Sequence, residues 1–93
     1  MSRRLETVAS GTPVLCGEQR VGSVEGIYTE GESRLPEYLA VKWDSRGLTI
    51  LVPTKDVESL EERGVVLQCS DPAAYDTIAK FEPQQFPTIK KLG

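Results

Sequence analysis

The sequence predicts a mainly β domain: a small antiparallel β-barrel of five to six strands, with one short C-terminal helix and an extended tail. Three observations carry this. Short apolar segments alternate with period two, turn-forming Gly, Pro and Asp clusters separate them, and all of them precede the single helical pattern. That strand-first order disfavours a βαβ nucleotide fold. At 93 residues the chain makes one domain, and 39% hydrophobic with 27% charged residues is a globular rather than a disordered mixture. Residues 1–10 read as a flexible segment, 11–69 as the barrel, and 70–93 as the helix and arm.

The elements follow in order. Gly11-Thr12-Pro13 is a turn that opens a first strand, Val14-Leu15-Cys16. Gly17-Glu18-Gln19-Arg20 is a hairpin connection, with Gly17 free to take a positive φ. The second strand, Val21 to Tyr28, places Gly22, Val24, Gly26 and Tyr28 on one face, and its glycines let it bend around a small barrel. The polar run Thr29 to Pro36 is a loop. Leu39, Val41 and Trp43 alternate with Tyr38, Ala40 and Lys42 in a third, half-buried strand. After the turn Asp44-Ser45-Arg46-Gly47 comes Leu48 to Val52, whose ladder Pro53 ends. Val57-Glu58-Ser59-Leu60 fits either a fifth strand or a turn of helix. Following the turn Glu61 to Gly64, Val65 to Cys69 is the last clear strand. The expected core is Val14, Val24, Leu39, Val41, Ile50, Val52, Val65 and Leu67.

Ser70-Asp71-Pro72 reads as a cap with proline at the first helical position, opening a helix from Pro72 to Lys80. Ala74, Ile78 and Phe81 give it one apolar face, and burying Ile78 and Phe81 on the barrel is worth roughly 1.5–3 kcal/mol each. Pro83 and Pro87 keep the remainder extended. Phe81, Phe86, Ile89 and Leu92 are its candidate interaction anchors, folded on the barrel or laid along a neighbour's sheet edge.

The chemistry points away from catalysis. The chain has no histidine, so a Ser or Cys nucleophile lacks its usual base. The carboxylates at Glu58, Glu61 and Glu62 sit in a charged turn region and read as solvated. There is no phosphate-loop motif, and the glycine spacing is not G-x-G-x-x-G. No catalytic residue, metal site or cofactor is expected. A net charge of −3, with basic doublets only at Arg3-Arg4 and Lys90-Lys91, speaks against duplex nucleic acid as a partner. With no apolar run near the ~20 residues of a membrane span and no signal-peptide pattern, a cytoplasmic location follows. Cys16 and Cys69 then read as reduced, small buried hydrophobes.

The stretches GTPVLCGEQRVGSVEGIY, PEYLAVKW, TILVPTKDVESL and GVVLQ resemble the PRC-barrel domain, the barrel of the photosynthetic reaction-centre H subunit and of the C-terminal domain of ribosome-maturation factors. The resemblance spans residues 11 to 69 and rests most on Val21-Gly22-Ser23-Val24 and Val52-Pro53. In that pattern Val21, Gly22, Val24, Val52 and Pro53 are structural. Gly26 stands where members of the family often carry an acid. The resemblance implies a non-catalytic module that holds partner proteins together or tunes the surroundings of an assembly. Separately, the unpaired edge strands of a small barrel invite symmetric pairing into a homodimer. A ribosome- or RNA-associated accessory factor and a small-ligand-binding domain are the alternative expectations.

Overall fold

The computed structural model describes residues 8–33, 35–69 and 72–91. Among them seven strands form one mixed sheet: β1 (Pro13–Cys16), β2 (Gln19–Glu30), β3 (Tyr38–Trp43), β4 (Leu48–Pro53), β5 (Val57–Glu61), β6 (Gly64–Leu67) and β7 (Ile89–Lys91). The order is β4-β3-β2-β1-β6-β5, with β7 added to β2. Neighbours are antiparallel except β1 and β6, which run parallel over three residue pairs, Val14 to Cys16 against Val65 to Leu67.

No ladder joins β4 to β5, so the expected closed barrel is corrected to an open mixed sheet. The sheet must nevertheless curl. Laid flat, six strands would hold their outer members about 24 Å apart. Yet only the 3₁₀ turn Thr54–Asp56 separates Pro53 of β4 from Val57 of β5, and four Cα steps reach ~15 Å at most. Curling gathers one face of every long strand into a common interior. All eight residues expected in the core are there, each at most 1% exposed, joined by Val21, Ile27, Trp43 and Tyr75.

β2 departs from simple alternation. Its pairing slips by one residue at Val21 against β1 and again at Glu25 against β3. Each bulge inserts an unpaired residue and bends the strand. As a result Val21, Val24 and Ile27, three apart, all enter the core, and the expected single face of Gly22, Val24, Gly26 and Tyr28 does not form. The strand is also longer than expected, since Thr29 and Glu30 belong to it rather than to the following loop. Gly17 turns with a φ of 65°, as the hairpin requires. Val8 packs against the core, and the Ala9 carbonyl accepts bonds from Thr12 N and Oγ1. Residues 1–7, including Arg3 and Arg4, lie outside the described residues.

The expected helix from Pro72 to Lys80 is replaced by a single 3₁₀ turn, Pro72–Tyr75; its proposed cap, Ser70-Asp71, lies outside the described residues. Helix-forming groups are used elsewhere. The Arg46 guanidinium donates to the carbonyl of Tyr75, which a helix to Lys80 would have bonded to Ala79 N, and to that of Ile78. Phe81 N donates to Thr49 O of β4 at 2.8 Å. Tyr75, rather than Ala74, enters the core and packs on Trp43 with ring centroids 5.0 Å apart.

Candidate functional site

Alternation in β3 and β4 turns Leu39, Val41, Trp43, Ile50 and Val52 inward, so Tyr38, Ala40, Thr49, Leu51 and Pro53 occupy the opposite, outer face. The C-terminal arm lies across this face. Phe81 crosses the β4 edge at Thr49 and sets its ring against Tyr28 of β2, centroids 5.0 Å apart and nearly perpendicular. Phe86 follows at 6.0 Å from Phe81. The chain then pairs as β7 with the end of β2, Ile89 against Glu30, Lys90 against Thr29 and Lys91 against Tyr28. Gly31 N donates to Thr88 O and tightens the return.

The arm thus folds back on its own sheet. Of its four expected anchors, Phe81 is buried within the chain at 7% exposure, Ile89 is half-buried, Phe86 stays 42% exposed, and Leu92 lies outside the described residues. Among the residues of the family pattern, Val21, Val24 and Val52 are core, and Pro53 closes β4 half-buried. Gly22 has no room for a side chain: a Cβ there would fall on the Lys42 carbonyl oxygen and press on Val41.

Sequence reading missed Leu35. It is 71% exposed, and with Phe86 it is one of two exposed large hydrophobic residues among those described. It stands beside a groove of about 460 Å³ lined by Pro36, Tyr38, Pro53 and Lys55. Thr54 Oγ1 donates to Pro36 O at 3.0 Å and ties this loop to the end of β4. A lone Leu next to proline in a polar loop carries no periodicity, so no pattern marked it.

The sheet has two ends of different character. At β4, Phe81 N occupies Thr49 O and Pro53 offers no N–H. At β5, Glu58, Glu61 and Glu62 are exposed. Hydrogen bonds from Ser59 and from Arg63 hold the Glu61 carboxyl below the usual glutamate range. Under the sheet, Tyr75 OH donates to Asp56 at 3.1 Å. Burial, with the negative charge and hydrogen bond of Asp56, pushes the Tyr75 phenol up to about 12.

Cys16 and Cys69 are joined by a disulfide, with Cα atoms 5.3 Å apart, which corrects the expectation of reduced thiols. Parallel pairing registers Cys16 opposite Leu67, where β6 ends, and the chain beyond it brings Cys69 within bonding reach. Among the described residues no helix is long and apolar enough to cross a membrane. Comparison of the chain with protein-family models, curated proteins and solved structures finds no match to any of them.

Proposed function

We propose that this chain is a non-enzymatic protein-interaction module of PRC-barrel-like design. The observation that carries the proposal is a pair of exposed large apolar side chains, Leu35 beside the groove of Pro36, Tyr38 and Pro53, and Phe86 on the arm next to Phe81. Large apolar side chains rimmed by polar residues mark contact surfaces for other macromolecules. The PRC-like part is supported by the roles of the two matching segments: Gly22 permits β2 to touch β3, and Val52-Pro53 turns β4 into the corner before β5. The absence of histidine and of a phosphate-loop motif from the sequence supports a non-catalytic role.

The test compares the chain with a Leu35→Asp, Phe86→Ser double variant. Both positions are exposed, so the melting temperature should be retained. Proteins captured from native cell extract by the unaltered chain should be lost from the variant. An identical captured set would remove this face as the contact site. Self-association through the same face belongs to the proposal, and light scattering that finds only monomers would remove that part.

A further inference from the structure

β5 ends the sheet path, and among the described residues no strand pairs with its outer edge. No backbone bond outside its own ladder and the adjoining corner ends on residues 58–61 either. This differs from β4, whose edge is blunted by Pro53 and by the bond from Phe81 to Thr49. Beside β5 lies a groove of about 420 Å³ whose walls are Val8, Ala9, Thr12, Leu60, Gly64 and Val65. Its rim is acidic. Arg63 is engaged by Glu61 at 2.9 Å and Glu18 at 3.6 Å. Glu58 and Glu62 are exposed and have no ion pair among the described residues.

We infer that the β5 edge docks an extended basic segment of a partner protein, which adds to the sheet as a further strand. The free edge supplies main-chain hydrogen bonds, and the groove beside Leu60 receives an apolar side chain. Lysines or arginines of the segment meet Glu58 and Glu62, the rim carboxylates without an ion pair among the described residues. A second copy of β5 is a poor occupant, since self-pairing would set these carboxylates against one another. The bulge at Glu58 shortens the usable ladder, so charge carries much of the attraction and binding is salt-sensitive.

The inference rests on the interaction reading but uses a different surface. Its test is fluorescence anisotropy with a labelled peptide of alternating lysine and valine, about six residues long as strands commonly are. A glutamate-valine peptide of equal length and an N-methylated lysine-valine peptide serve as comparisons. The lysine-valine peptide should bind, weaken several-fold as salt is raised, and weaken at least about tenfold on a Glu58→Lys, Glu62→Lys variant, the loss of both attractive charges. N-methylation at alternate positions keeps the charge and removes the ladder, so it should weaken binding several-fold at constant salt. Equal binding of the methylated peptide would overturn strand addition, and equal or absent binding of the two charge types would overturn the site. Loss of peptide binding with Leu35-dependent capture intact sinks only the β5 site, whereas the reverse sinks only the outer-face reading.

Discussion

Gly22 shows how a single missing side chain sets the distance between two strands. Its Cβ position is taken by the Lys42 carbonyl oxygen and Val41 Cγ1, so β2 and β3 could accept a larger residue only by separating. Gly22→Val should cost at least about 2 kcal/mol, at the upper part of the range for overpacked sites. Thermal melting checks this, and an unchanged midpoint would refute it. Tyr75 acts through its proton. Its phenol titrates near 12 in the folded chain against an ordinary value of 10.0, so the folded state holds the proton where the unfolded state has released it. The contribution of Tyr75 to stability should be constant below pH ~10 and fall as pH rises from there toward 12. Tyr75→Phe removes that slope, and urea melts across this range measure it.

At the scale of elements, local signals located the strands but not their partners. Leu39, Val41, Trp43, Ile50 and Val52 announce themselves by alternation, and each is buried where expected. β2 resisted because a bulge is a pairing property: nothing in Val21 or Glu25 alone declares an extra residue. The helix expectation failed for a related reason. Ala74, Ile78 and Phe81 do keep helical spacing, yet a segment this short depends on tertiary contacts, and Arg46 and Thr49 draw its backbone groups to the sheet instead. Of the candidate surface, Phe86 was legible as an anchor and Leu35 was not. The arm's role also changed. Because β7 pairs with β2 of the same chain, deleting residues 82–93 should lower stability by about 1–3 kcal/mol, the cost of unmaking a few hydrogen bonds and baring Phe81. The deletion also removes the exposed Phe86, so self-association through the outer face should weaken, and light scattering that finds it unchanged would take the arm out of that contact.

At the scale of the whole molecule, the parallel β1–β6 seam joins the other five strands of the sheet to the β5–β6 hairpin. It is only three residue pairs long, and the Cys16–Cys69 bond lies at its end. The two cysteines are 53 positions apart, and the chain-entropy estimate for a loop of that size is about 4 kcal/mol. Reduction, or Cys16→Ser with Cys69→Ser, should therefore drop the melting temperature by more than about 10 °C. A midpoint indifferent to dithiothreitol would show that the seam holds without the bond.

The same bond makes the segment from Cys16 to Cys69 a covalent ring that contains β2, β3, β4, β5 and β6 whole. A protease that clips the polar connection between β2 and β3 would open the ring without parting the molecule. Nicked protein would migrate as one band on a gel run without reductant and as two fragments once the sulfurs are freed.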